Sequence, residues 1–341
     1  VLVNAMWGSS FPVMKCLNLQ IDQHFAVTEL TASSWLRGGS AAWMIAIRFA
    51  IALLLLAVFF RGMVRQVRMP HVLSGVAIGT VFFFGLLLQV IGLATIPASR
   101  SGFLTSLAVV FTPLITTIFR RRLPGMPSLA GAAIALLGVT ILTGLLVIRD
   151  GRIGLAEDAL QQWTTGDSLT TLAAFFFSIQ ILLVDRLGRR YESVAFTPGM
   201  FATTAALASI VFLLIRARIP EVPASAASEG VWISLAVQPR FFLSIGVLCI
   251  FPTLLAFALM NKFQPYLTAV QAAVIYTLEP VFASFWAMLL PTLLAVLCTV
   301  DYANERLSFP LLIGGTLVLI ANVLALWPLP NDPPLHARKS N

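Results

Sequence analysis

Of the 341 residues, 59% are hydrophobic and 11% charged, against about half and a quarter in soluble domains, so a water-soluble globular fold is excluded. The formal net charge of +8 is spread over short basic clusters between apolar runs, which points to membrane loops and away from nucleic acid. Three cysteines (Cys16, Cys249, Cys298) and three histidines (His24, His71, His336) are dispersed, and no phosphate-cradling glycine motif occurs, so neither a metal, a disulfide framework nor a cofactor is expected.

A membrane-spanning helix takes about 20 predominantly apolar residues. Ten windows fit, in chain order 1–20, 41–60, 72–95, 98–119, 127–148, 167–186, 194–215, 240–261, 267–297 and 309–329. The spacing predicts an all-α integral membrane protein with ten transmembrane helices. The first window has no basic flank and no small-residue cleavage site, so a cleaved signal peptide is not expected. In span one Asn4, Gly8, Phe11 and Lys15 share a face, with Trp7 and Ser10 deeper, and span two carries Arg48. The long side chains of Lys15 and Arg48 either snorkel to the interface, meet an anionic substrate group or pair with an acid. Gly75 with Gly79, and Gly131 with Ala135, are small-residue pairs that close packing within one chain explains, so a monomer suffices. Gln89, Gln180 and Gln271 are amides within spans, each needing a neighbouring helix or a ligand as partner. Pro113, Pro252 and Pro280 are expected helix kinks.

Span nine contains "VIYTLEPVFASFWA" (274–287), with the carboxylate Glu279 inside an apolar run. Ala269, Ala272, Tyr276, Glu279 and Ala283 recur every three or four residues and should share a face. The matching stripe of span four is Gly102, Thr105, Val109, Thr112 and Thr116. Such stripes serve either close packing or a wet cavity. Glu279 has two readings: a protonated acid donating to a carbonyl freed at Pro280, or a transport-site acid that exchanges a proton. Burial disfavours its ionised form, which the first reading needs and which brings uptake and release of a proton within reach for the second.

Basic clusters "RGMVRQVR" (61–68), "RRR" (120–122) and "RLGRR" (186–190), with Lys262 and the "HARKS" tail, follow the even-numbered spans. Both termini are therefore expected in the cytoplasm and the protein in a plasma (inner) membrane. The two halves read as copies: Pro113 falls on Pro280, Thr112 on Glu279, Gly85 on Pro252 and Ser10 on Gln180. The expected organisation is a first repeat over 1–148, a connecting loop 149–166, a second repeat over 167–330 and a tail over 331–341. Five spans per repeat is odd, so the copies should be inverted, the architecture of alternating-access transporters.

"NAMWGSSFPVMK" (4–15), "IRFAIALLLL" (47–56), "SGFLTSLAVVFTPL" (101–114), "YTLEPVFASFWA" (276–287) and "NERLS" (304–308) occur in an order that resembles the EamA-type transporters of the drug/metabolite transporter superfamily. The resemblance implies a ten-helix exporter or permease for small metabolites, often amino acids or drug-like compounds, and offers a cavity wall as the alternative to an interfacial anchor for Trp7. The segment 21–40 and an insertion after span nine depart from that pattern and lie on the expected outer side. The substrate-path candidates are Trp7, Ser10, Thr105, Thr112, Gln180, Gln271, Tyr276 and Glu279, with Lys15 and Arg48 as charge partners. Its partners are the bilayer and a small-molecule substrate. The competing readings are a passive channel, an integral-membrane enzyme and a non-transporting scaffold; the sparse His and Cys content argues against an enzyme.

Overall fold

The computed structural model describes residues 1–65, 67–120, 126–142, 144–149, 152–155, 163–188, 190–222 and 228–325. Two arginines of the "RRR" cluster, Arg189 of "RLGRR", half of the 149–166 loop and the 331–341 tail lie outside these residues. In lipid, an apolar run can satisfy its backbone groups internally only as a helix or a closed barrel, and here the runs are helices. They are α1 (Leu2–His24), α2 (Ser34–Phe59), the short α3 (Arg61–Arg65), α4 (Met69–Leu93), α5 (Ala98–Thr105), α6 (Ala108–Arg120) and α7 (Met126–Leu142). After an antiparallel hairpin of β1 (Leu146–Arg149) and β2 (Arg152–Leu155) come α8 (Thr165–Gly188), α9 (Thr197–Ile215), α10 (Ser228–Ala236), α11 (Pro239–Leu248), α12 (Ala256–Phe263), α13 (Ala269–Tyr276), α14 (Glu279–Cys298) and α15 (Phe309–Ala325).

Among the described residues, seven helical stretches are long and apolar enough to cross a membrane, from Ser34–Phe59 to Glu279–Cys298. Two shorter apolar helices, Leu129–Ile141 and Phe309–Ala321, fall below that length. Helix α1 is not among the seven, and it buries Asn4, Lys15, Asn18, Gln20 and Asp22, which lower its hydropathy.

Three spans are interrupted. α5 passes to α6 through a turn at Ser106–Leu107, and α13 to α14 through a turn at Thr277–Leu278. Between α11 and α12 the chain widens into a π-helical stretch, Cys249–Leu255, around Pro252. Proline has no N–H for the carbonyl of Leu248, and the hydroxyl of Thr253 donates to that carbonyl at 2.7 Å. Pro113, by contrast, lies inside an uninterrupted α6; the break in that span falls at Ser106–Leu107 instead.

The departures from the expected pattern also have physical roles. Ser33 caps α2, accepting from Leu36 N at 3.0 Å, so the segment 21–40 is largely two helix ends joined by a turn. After α14 the chain reverses through Thr299 in the left-handed region (φ 56°) and runs back beside the helix. Pro291 leaves the carbonyl of Ala287 without its helical donor; Glu305 N–H takes it at 2.9 Å, while Asn304 Oδ1 accepts from Thr292 N at 2.9 Å.

α7 packs along α15, α2 along α9, and α4 against both α8 and α9. α1 packs on α14 and on the segment from Cys249 through α12, while α5 and α6 pack on α8. An aromatic cluster of Phe49, Phe82, Phe201 and Phe257, centroids 4.9–6.5 Å apart, joins α2, α4, α9 and α12. Gly75 and Gly79 let α4 approach α9: a Cβ on Gly75 would stand 2.8 Å from Met200 N, and one on Gly79 2.7 Å from Met200 O. The small-residue pair thus serves packing within one chain.

Gly75→Ala should therefore destabilise the detergent-solubilised protein by about 1–3 kcal/mol in a thermal-unfolding assay. Gly246→Ala, where an added Cβ meets nothing within 4 Å, should stay within about 0.5 kcal/mol of the parent.

Candidate functional site

A cavity of about 80 Å³ lies between α1, α2, α4, α5, α8, α12, α13 and α14, with walls from both halves of the chain. Trp7, Ser10, Arg48, Thr105, Gln180, Tyr276 and Glu279 line it, together with Gln89, Gly102, Ser106, Thr277 and Pro280. Its apolar surface comes from Met14, Phe82, Leu86, Phe177, Ile181, Phe257 and Met260.

Two of the interrupted spans meet at Trp7. Its indole N–H donates to the carbonyl of Pro252 at 3.1 Å, and its ring lies 5.3 Å from Phe257 and 5.2 Å from Tyr276. The Tyr276 hydroxyl donates to Gln264 Oε1 at 3.0 Å, and Gln264 Nε2 donates to the carbonyl of Ile181 at 3.0 Å. Asn4 Nδ2 donates at 2.8 Å to the carbonyl of Ile275, just before the turn in span nine. These bonds fix one wall. Gln89 Nε2 fixes another by donating to Thr105 Oγ1 at 2.9 Å. Ser10 and Ser106 turn their hydroxyls back to the carbonyls of Trp7 and Phe103 at 2.6 Å each, so they present little free polarity.

Three lining groups are uncommitted. The carboxyl of Glu279 makes no hydrogen bond or ion pair with a described residue, and the amide of Gln180, 5% exposed, has none either. Arg48 is 5% exposed, its Nε donating to Thr253 Oγ1 and its Nη1 lying 3.6 Å from Met14 Sδ, with no carboxylate at ion-pair distance. Neither Arg48 nor Lys15 snorkels to solvent. Lys15 instead pairs with Glu29 and donates to the carbonyl of Ala94 at 2.8 Å, away from the cavity.

The other candidates go elsewhere. Gln271 is the third residue of α13 and its Oε1 accepts from Thr268 N at 3.0 Å, while Thr268 Oγ1 accepts from Gln271 N at 3.2 Å, a reciprocal cap. Thr112 is fully buried with no partner for its hydroxyl and does not reach the cavity. The stripe of span four divides at its helix break, whereas that of span nine reaches the cavity on both sides of its own. In span four Gly102 and Thr105 line the cavity, but Val109, beyond the Ser106–Leu107 turn, packs against Ala135 and Ala321. In span nine Tyr276 and Glu279 line it, while Ala269 and Ala272 pack with Ala108 and Ile181. In span four the helical period loses its phase across the turn. The rings of Phe82, Phe177 and Phe257 escaped sequence reasoning because 25 phenylalanines give no signal to separate cavity from lipid.

Two further buried acids, Asp22 and Asp167, form ion pairs. Arg37 grips Asp22 through two N–H groups, one at 3.0 Å, and Arg100 binds the fully buried Asp167 at 2.7 and 2.9 Å. Glu305 Oε1 accepts from Ser99 N at 3.3 Å, and Glu221 receives both Ser33 N and Ser33 Oγ, at 2.7 and 2.8 Å. All these contacts lie toward the end of the bundle that holds the C-terminus of α1.

Comparison with known proteins decides the family. The model of the EamA-like transporter family matches residues 1–144 and 164–327, nearly the whole chain in two blocks. The chain belongs to the EamA-like transporter family. That family is part of the drug/metabolite transporter superfamily, so this is a multi-pass membrane protein of the transporter class. An uncharacterized transporter of Archaeoglobus fulgidus is 25% identical over 325 residues, covering 95% of this chain and 83% of its own. A crystal structure of a protein shares the fold over 93% of this chain and 96% of its own, with a TM-score of 0.52 and 18% identity.

In this EamA-family protein the lining assignment is directly measurable. With Cys16, Cys249 and Cys298 replaced by alanine, Gln180→Cys should react with a small water-soluble thiol reagent in membranes, whereas Thr112→Cys should stay unmodified.

Proposed function

We propose that this protein is a secondary transporter that carries small organic metabolites across the plasma (inner) membrane by alternating access. Its ten spans are two inverted five-span repeats, 1–148 and 167–330, with both termini in the cytoplasm, and the direction is export. The packing supports the repeat. Exchanging each span for the one five places along turns the α4–α8 contact into the contact of α1 with the Cys249–Phe263 segment, and the α5/α6–α8 contact into α1–α14. The pairs α2–α9 and α7–α15 map onto themselves. Two half-bundles related in this way rock about a shared central cavity.

The observation that carries the reading is the cavity itself: both halves line it, and it holds the carboxyl of Glu279 with no hydrogen-bond partner among the described residues. An acid kept for structure would be tied to a carbonyl, and Glu279 is not. Glu279 is therefore the group that takes up and releases a proton during the cycle. Thr112 replaces it in the first half, so coupling is asymmetric. The family points to a transporter rather than an enzyme. A passive channel is separated from a carrier by saturable exchange.

Reconstituted protein should give saturable counterflow of one class in a screen of amino acids, nucleosides, sugars and lipophilic cations; linear, non-saturable flux would identify a channel. A pH gradient should drive accumulation by the parent. With Glu279→Gln, accumulation should fall to the level seen without a gradient while exchange persists. A variant that keeps the parent's rate and pH dependence removes Glu279 from the mechanism.

A further inference from the structure

Of the charges lining the cavity, only the positive one cannot be discharged. A guanidinium stays protonated throughout the physiological range, whereas a carboxyl can be neutralised by a proton. Among the described residues, buried Lys15 is answered by Glu29 and buried Arg37 by Asp22, but buried Arg48 has no acid. An ion in an apolar interior without a counter-charge is strongly disfavoured, and such residues in spans mark the path of a charged ligand.

The surroundings orient Arg48 toward the cavity. The Thr253 hydroxyl gives its proton to Leu248 O, at the π-helical stretch, and so offers a lone pair to Arg48 Nε. The ring of Phe49 lies 5.4 Å from the guanidinium carbon. Among the described residues Nη1 has only the weak sulfur acceptor of Met14, and Nη2 has no partner. A guanidinium held at Nε, with one terminal nitrogen on a weak sulfur acceptor and the other open, can still offer a two-pronged face to a carboxylate. The unpartnered amide of Gln180 adds a neutral donor, as does Glu279 when protonated. Trp7, Phe82, Phe177 and Phe257 supply apolar walls. A single cation among neutral donors suits a monoanion better than a phosphate dianion.

We infer that the cavity takes a small organic monoanion, a carboxylate on an apolar or aromatic body, and that Arg48 is its charge-specificity residue. This rests on the cavity being the transport site proposed above.

Binding to the purified full chain should be measured by ligand-induced thermal stabilisation with four probes of similar body: phenylacetate, phenethylamine, phenethyl alcohol and phenylalanine. Phenylacetate should bind about tenfold or more tighter than each of the others. Arg48→Gln should lose that preference while keeping its affinity for the alcohol, and Arg48→Lys should recover part of it. Any of the three other probes matching phenylacetate overturns the inference, as does binding of none, or an unchanged preference in Arg48→Gln. Should that variant not fold, the ranking on the parent protein decides alone. Counterflow of labelled probes, corrected for protein-free liposomes, separates the two readings. Phenylacetate binding without saturable exchange defeats the transport reading and leaves Arg48 its anion; exchange of the amine without the acid defeats the inference and leaves transport standing.

Discussion

Backbone N–H and C=O groups surrounded by lipid must find partners inside the protein, and that constraint organises everything else here. A span can be broken only where other protein atoms take over its hydrogen bonds or where the broken stretch lines a cavity. The breaks at Ser106–Leu107 and Thr277–Leu278, and the π-helical stretch at Cys249–Leu255, obey it: each contributes lining residues or holds one in place. Trp7 bonds to the carbonyl of Pro252, Asn4 to that of Ile275, and Thr253 to that of Leu248. The irregular backbone and the polar side chains of α1 therefore explain one another.

Charge follows the same logic. Among the described residues three acid–base pairs lie toward the end holding the C-terminus of α1, Lys15 with Glu29 and Arg37 with Asp22 within the first half and Arg100 with Asp167 across halves. Such pairs are worth most as geometry, since their desolvation offsets much of their attraction. Inside the cavity the matching stops. Arg48 and Glu279 face the same space without joining in an ion pair, so one charge is permanent and the other depends on a proton. A site in that condition can respond to both a ligand and a proton, which is what a coupled carrier requires.

Glu279 and Arg48 were legible in the sequence because a charge inside an apolar run always needs a reason. Thr105 and Tyr276 followed from helical spacing, Ser10 and Gln180 from the match of the two halves and Trp7 from the family resemblance, and the folded chain brings them to one cavity. Gln271 and Thr112 looked the same on paper. The first is spent on capping α13, a local role that "TAVQ" at 268–271 already carried, and the second lies past a turn that rotates its face away. Lys15 found its acid in a loop of the segment 21–40, a pairing that no periodicity encodes.

Composition alone put the chain in a membrane, because 59% apolar residues leave too little polar surface for water, and run length alone set where its helices lie. Those are one-dimensional properties, fixed by hydropathy and by the rise of a helix. Which charge is paired, which phenylalanine meets the cavity and where a stripe loses its phase depend on neighbours distant in the chain. Only the packing of helices against one another decides them, because a partner is a matter of position in space.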